Sequence, residues 1–480
     1  MTEQNKTLFQ SFEAYLPFLG SHWNNIKKFA KYFSKLGISA VWLPPCCKNM
    51  HQFNMGYDVY DLYDLGEFRT PIFKRTRYGT KKGLERAISA LHGYGISVYA
   101  DVVLNHKAGG EACETIKAVK VNPQNRNEVL GEEIEISAWT KFDFPSRKEK
   151  YSNFKWRWSH FTGTDFDMKT MQWGIYKFSG KSWNSDVSNE YGNYDYLMHM
   201  DIDVSHPEVI EELEKWGVWF VKELDLDGFR LDAVKHISYT FYKNWVKAIN
   251  KKSGKHLFTI GEYLGYNNEQ FLKYIHNTDG LINLFDFTLH YRLYDVSCNE
   301  NFDLRWLFYG TLVSFRPDKA ITFVDNHDTQ PGESFNSYVR DWFRPQAYAI
   351  ILLRKEGIPC VFYPDLFGLR KPKKKPMNQI VNLMSARKLL AYGQQHDYFD
   401  CPDIAGWTRE GCGEYPGSGL AVVLSIKSGG SKWMFIGKKF AGKNFTDLTR
   451  HINKTININQ DGFGEFFVEA KSLSVWVLKN

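Results

Sequence analysis

Eight short apolar or β-branched runs recur along the chain, most of them separated by helical patterns: LFQSF, ISAVWLPP, ISVYADVV, GFRLD, LFTIGE, LINLFDF, KAITFVDNHD and GIPCVFY. Helical spacing falls at 22–36, closed by Gly37, and at 84–94, closed by Gly95. It returns at 207–224, 237–252, 267–276, around 345–354 and at 378–390. Helix, glycine and β-branched run make a βα unit. Eight of them predict a closed parallel (β/α)8 TIM barrel, which gathers the C-terminal ends of its strands on one face. Four runs end there in an acid: Asp101 in YADVVLNH, Asp232 in GFRLDAVKH, Glu262 in FTIGEY and Asp328 in FVDNHD. Positions remote in sequence should thus build one acidic pocket, and paired carboxylates are what glycosidic bond cleavage requires.

The rhythm breaks between residues 105 and 206. This stretch is rich in Trp, Tyr, Asp, Asn and Gly without helical periodicity. It far exceeds the roughly 2–6 residues of an ordinary βα loop. Trp156, Trp158, Trp173 and Trp183 are unlike a disordered linker. The chain therefore divides into a barrel from 1–104 and 207–396, an inserted subdomain at 105–206 and a C-terminal unit at 397–480. The last contains GLAVVLSI, SKWMFIG, GEFFVEA and SLSVWVL, glycine-separated alternating runs that predict a small antiparallel β-sandwich.

Several function classes are disfavoured. The net charge of +7 is spread over 61 basic residues, and the densest run, Arg370 to Lys375, is broken by Pro372. A nucleic-acid partner would need a more extensive basic face. No stretch approaches the ~20 apolar residues of a membrane span. The seven cysteines fit neither a metal motif nor an even disulfide framework. MTEQNKTLFQSFEAYLP lacks the apolar core of a signal peptide. The expected compartment is a reducing cytoplasm, or the exterior if a leader has been removed, and the expected state is a monomer.

The acids differ in their surroundings. Arg230 precedes Asp232 by two residues, so in an extended strand both point the same way, and a guanidinium favours the ionised carboxylate a nucleophile needs. Glu262 lies among Phe258, Ile260 and Tyr263, where partial desolvation favours the protonated form of a proton donor. Asp328 sits beside Asp325 and His327, with His106 and His236 near other strand ends. Such groups orient hydroxyls and stabilise positive charge developing on a sugar ring. Aromatic residues make up 16% of the chain, with 15 Trp and 27 Tyr, enough to supply stacking platforms as well as core.

DVVLNH, GFRLDAVKH, TIGEY and FVDNHD resemble the four signature segments of the α-amylase family of glycoside hydrolases. MGYDVYDLYDLGEF, RYGTKKGLERAI, VSNEYGNYDYL, DIDVSHPEV, YGQQHDYFD and GWTREG extend the resemblance to the liquefying bacterial α-amylases over essentially the whole chain. The resemblance implies Asp232 as nucleophile, Glu262 as general acid/base and Asp328 as transition-state stabiliser. Arg230, His106 and His327 would surround the sugar, Tyr57 would stack beneath it, and Lys235 and His236 would line the leaving-group side. A retaining double displacement follows, with the Asp232 and Glu262 carboxyls about 5–5.5 Å apart. The substrate would be an α-1,4-glucan such as starch, glycogen or maltodextrin, cut internally. A maltooligosaccharide-forming amylase or transglycosidase shares these residues, whereas a silent binding relative would be expected to have lost one of the three acids.

The same resemblance implies one Ca2+ held between barrel and insert by Asn105, Asp195, Asp201 and the carbonyl of His236, all hard oxygen donors. The calcium–sodium cluster of many liquefying members is expected to be absent. Thr162, Asn184 and Ser205 stand where that cluster has carboxylates, leaving Asp203. Leu264 stands where relatives often have a stacking Trp after the acid/base.

Overall fold

The computed structural model describes residues 5–70, 73–299 and 301–479. Eight parallel strands close a barrel in sequential order: β1 (Leu8–Gln10), β2 (Ala40–Leu43), β3 (Ser97–Val102), β4 (Gly228–Leu231), β5 (Phe258–Gly261), β6 (Ile282–Phe285), β7 (Ala320–Phe323) and β8 (Ile358–Phe362). β8 returns to β1 in the register Leu8↔Cys360, Phe9↔Val361, Gln10↔Phe362. All eight expected runs are strands. Their side chains are nearly all buried because helices cover the outside and side chains fill the interior. At β4 the strands approach so closely that a Cβ on Gly228 would stand 2.2 Å from the Phe258 carbonyl oxygen. Only glycine fits there.

The helices begin and end where local chemistry dictates. Helix Pro207–Leu224 starts with proline at its first turn and stops at Asp225 in the left-handed region, φ 54. Helix Lys81–His92 is capped by Thr80, whose hydroxyl accepts from the Gly83 N–H. Three α-helices lie outside the expected stretches: the short Leu312–Phe315 and Tyr363–Phe367, and a longer one. Phe287–Cys298 follows β6, capped by the Asp286 carboxylate accepting from the Leu289 N–H. Its opening residues, FTLHYRLY, mix aromatics and one β-branched threonine with helix-forming Leu and Arg, and the cap sets where it starts.

The insert is a six-stranded sheet, in the order His106–Lys107, Met200–Ile202, Phe161–Asp167, Gln172–Phe178, Ala112–Asn122, Asn125–Lys141. The last two form a long antiparallel ribbon whose register shifts three times. Those shifts break strict alternation, which is why the ribbon escaped a period-two reading of the sequence. The two short strands matter most. His106–Lys107 continues directly from the end of β3, and Asp201 pairs with His106. The insert is thereby joined to the barrel's C-terminal end.

The C-terminal unit pairs a six-stranded antiparallel sheet with the two-stranded sheet Gly430–Phe435 and Phe463–Val468. The first four residues of GWTREG lie in a strand, Ile404–Arg409, beyond the four expected. Alternation along Leu420–Ser425 explains how this unit sits. Ala421 and Val423 enter the sandwich core with Phe445, Phe466 and Trp476. Leu420, Val422 and Leu424 join the core of the barrel. Helix Arg344–Leu353, buried on every side, packs against that strand. A sheet sealed on both faces leaves no hinge. One calorimetric transition is therefore expected for the whole chain. Trp407→Ala, removing a fully buried ring in this seam, is expected to cost about 3–5 kcal/mol in denaturant titration. Two separated transitions would show that the C-terminal unit folds on its own.

Candidate active site

Arg230 occupies the centre of the barrel's C-terminal end. Its register neighbour across β3 is Asp101, and its Nη1 lies 2.9 Å from Asp101 Oδ1 and 2.6 Å from Asp232 Oδ1. Nη2 lies 2.9 Å from Glu262 Oε2. One buried guanidinium thus binds three carboxylates from three adjacent strands. Burial works against its charge, but Asp101, Glu262 and Asp232 outweigh it and hold the Arg230 pKa well above its usual value.

The acids do not share one role. Asp101 lies beneath the site: the indole of Trp42 and the hydroxyl of Tyr57 each donate to its Oδ2 at 3.0 Å, and it does not line the cleft. Of the four strand-end acids expected in the pocket, it therefore presents three. Asp232, Glu262 and Asp328 all line one open cavity of about 700 Å³. Tyr57, His106, Lys235, His236 and His327 line it too, while Arg230 stays behind the carboxylates.

Burial is the main force on Glu262 and Asp328. It raises Glu262 to about 8, with the charges of Asp232 and Asp328 adding and Arg230 opposing. It raises Asp328 to about 6, against Arg230 and a hydrogen bond with Glu262. A Glu262 that holds its proton can donate, to Asp328 or to a bound oxygen. Its Oε2 also accepts from the Ala233 N–H at 3.2 Å. Ala233 has φ 48, a strained value for a side chain with a Cβ, and it turns the chain so that Lys235 and His236 follow into the cleft.

The histidines are fixed by hydrogen bonds. The Gln10 amide at the end of β1 donates to His327 Nδ1 at 3.1 Å. The ring proton therefore sits on Nε2, 3.4 Å from Asp328 Oδ2. Tyr57 stacks on His327, centroids 5.2 Å apart and planes within 8°. His106 donates from Nε2 to the Tyr57 carbonyl at 2.8 Å. His236 is held to the Tyr194 carbonyl at 2.9 Å and pushed down to about 3 by burial and by Lys235. Lys235 reaches Glu190 of the insert at 3.1 Å. Gln10, Glu190, Tyr191 and Tyr194 were not singled out in the sequence. Gln10, as the last residue of a strand, is readable, and the three insert residues lie in VSNEYGNYDYL, where only Asp195 is given a role.

Behind His106, Asn105 Nδ2 lies 3.2 Å from the His236 carbonyl oxygen. Asp195 and Asp201 are buried and interact electrostatically. Burial raises Asp195 to about 7, opposed by hydrogen bonds from Asn184 and assisted by the charges of Asp203 and Asp186. Burial and Asp195 raise Asp201 well above its usual value. Asp201 Oδ1 is buried with no hydrogen-bond partner. An orphaned carboxylate oxygen among hard donors fits a divalent cation. The neighbouring place differs. Lys181 Nζ bonds Asp203 Oδ2 at 2.8 Å, and Ser205 Oγ bonds Asp203 Oδ1 at 2.5 Å. Burial would raise Asp203, but Lys181 and Ser205 outweigh it and bring it below the usual range. An ammonium already neutralises this carboxylate. His160, His206 and Glu208 also cluster. His160 Nδ1 accepts from the Arg157 N–H, so Nε2 carries the proton and points to Glu208 at 3.2 Å. That is a hydrogen bond, not a ligand set.

Removing Arg230 would leave three buried carboxylates without their common cation. Arg230→Gln is expected to cost about 3–5 kcal/mol at pH 8. Because Glu262 binds its proton more tightly folded than unfolded, the folded state holds a proton the unfolded chain has released between its ordinary 4.5 and about 8. Protonation thus relieves the uncompensated charge at low pH. The loss measured by urea denaturation should be smaller at pH 5 than at pH 8; an equal loss at both would show that charge is not the cause.

The profile of the catalytic domain of alpha amylase matches residues 20–402, and that of the alpha-amylase C-terminal domain matches residues 420–477. The alpha-amylase of Geobacillus stearothermophilus is 50% identical over 98% of this chain and 87% of its own. The glucan 1,4-alpha-maltohexaosidase of Bacillus sp. (strain 707) is 47% identical over 99% of this chain and 93% of its own. The cytoplasmic alpha-amylase of Escherichia coli (strain K12) is 38% identical over 99% of both. With its signature acids converging on one cleft and its relatives aligned from end to end, this chain belongs to the alpha-amylase family of glycoside hydrolases, in its liquefying bacterial branch.

Proposed function

We propose that the protein is an endo-acting α-amylase that hydrolyses internal α-1,4 bonds of starch, glycogen or maltodextrins with retention of configuration. The observation that carries this reading is the convergence of Asp232, Glu262 and Asp328 on one open cleft, two of them joined through Arg230. Asp232 attacks the anomeric carbon as the C–O bond breaks, and Glu262 gives its proton to the departing oxygen. Glu262 then takes a proton from water, which displaces Asp232 and releases the sugar. Asp328 and the Nε2–H of His327 orient hydroxyls and steady the cationic ring. Tyr57, stacked on His327, offers the sugar a flat apolar face, and His106 lies beside it. Lys235 and His236 face the departing unit. The barrel at 1–104 and 207–396 supplies the acids, the insert at 105–206 one wall, and 397–480 the sealing sandwich.

Asn105, Asp195, Asp201 and the His236 carbonyl would hold one Ca2+, supported by the orphaned Asp201 oxygen. Bound there, the ion supplies charge that neutralises Asp195 and Asp201 and ties the insert to the turn carrying His236. Lys181 supports a single site, since its ammonium stands where another cation would pair with Asp203. A single chain carries every group, so the reading needs no second subunit. A reducing cytoplasm is supported by seven free thiols and by the Escherichia coli relative's name; no described helix is long and apolar enough to cross a membrane. Cell fractionation checks the compartment.

The maltohexaosidase relative favours, as a second reading, release of one preferred oligosaccharide. Chromatography of early starch digests separates the two: a spread of lengths supports random endo cleavage, and one dominant product does not.

Glu262→Gln is expected to lower kcat on a blocked maltoheptaose reporter about 100- to 10,000-fold. Activity should fall above pH about 8 as Glu262 loses its proton. An unchanged rate in the variant would show that another group is the acid. Metal analysis should find one calcium per chain, and chelation should lower the melting temperature of the intact protein. Two tightly held ions would contradict the role given to Lys181.

A further inference from the structure

An aromatic pair on the rim of the cleft takes no part in the roles assigned above. Tyr266 is 73% exposed, yet its ring lies on that of Tyr291, centroids 4.3 Å apart and planes 24° from parallel. An exposed ring is ordinarily free to change rotamer, and each such change costs any ligand it must later meet. Here the half-buried Tyr291, from helix Phe287–Cys298, holds one face of Tyr266 and leaves the other open. The backbone is fixed as well. Asn267 caps the next helix, its Oδ1 accepting from the Glu269 N–H at 2.8 Å.

The position of the pair follows from its neighbours. Tyr266 lines the same cavity as Glu262, Asp232 and Asp328. Tyr291 lies close enough to Glu262 and Asp328 for their charges to help hold its hydroxyl above the usual tyrosine range, after burial and the hydrogen bond with Tyr266. Leu264, between Glu262 and Tyr266, lines the cleft with aliphatic surface only. The first ring available beyond Glu262 on this loop whose face is open is therefore Tyr266. A hexose presents apolar C–H groups on its ring faces and hydroxyls around its edge, the shape a flat aromatic surface binds.

Resting on the amylase reading, in which Glu262 protonates the departing oxygen, the loop following Glu262 flanks the departing chain. We propose that Tyr266, backed by Tyr291, is a stacking platform for a glucose unit on the departing side of the scissile bond. It sets the preference for substrates that extend beyond that bond over those that do not.

Two substrates read this directly. Maltoheptaose places glucose units on the departing side, whereas a nitrophenyl maltotrioside cut at its aryl bond places none. The ratio of kcat/KM for the first to that for the second cancels any loss of folded enzyme. In Tyr266→Ala this ratio should fall about tenfold, through KM for maltoheptaose more than through kcat. Tyr266→Phe should restore it, because the stacking face is kept. Tyr291→Ala should lower it part of the way. A ratio unchanged in Tyr266→Ala, or one that Tyr266→Phe fails to restore, overturns the platform. If the unsubstituted protein cuts neither substrate, the amylase reading itself fails, and the platform with it; the two failures are told apart before any variant is made.

Discussion

A single guanidinium organises the barrel's C-terminal end. Arg230 is fully buried, and its charge is tolerable only because Asp101, Asp232 and Glu262 surround it. Those acids in turn can be brought together only because it lies between them. Three negative groups within a few ångströms would otherwise repel by several kcal/mol. Asp101 is the silent member of this set. Fixed by Trp42 and Tyr57, it anchors the guanidinium from below, so that the upper two carboxylates project into the cleft.

The same cluster separates the acids by environment rather than by type. Asp232 receives the shortest of the three ion pairs. Glu262 takes the other guanidinium nitrogen but is driven by desolvation to keep its proton near neutrality. Of two carboxyls on one cation, one thus holds its proton near neutrality, as a proton donor must, while the other takes the closer ion pair. The insert adds the second wall through His106, Glu190, Tyr191 and Tyr194, and behind it burial and neighbouring acids raise Asp195 and Asp201.

Much of this was legible in the sequence because it is local. β-branched runs, glycine stops and Pro207 announce the barrel, and strand ends identify Asp232, Glu262 and Asp328 without any knowledge of what faces them. What escaped is nonlocal or irregular. The ribbon at 112–141 shifts register three times and so never shows clean alternation. Helix Phe287–Cys298 follows the apolar run LINLFDF without a break, and its Asp286 cap lies inside that run. That Asp101 lies under the site while Asp328 opens into it depends on Trp42 and Tyr57, contributed by other segments. Lys181 beside Asp203 is invisible until Phe161–Asp167 and Met200–Ile202 are paired.

The seam between β1 and β8 joins Leu8 to Cys360. Leu8 precedes Cys360 along the chain by about 350 residues, so during synthesis β1 is made long before its permanent neighbour on that side. For that interval the nascent sheet is an open, strongly apolar edge rather than a ring, the state in which strand edges recruit wrong partners. Closure thus waits for β8, and the vulnerable period of this enzyme lies between the making of its two seam strands.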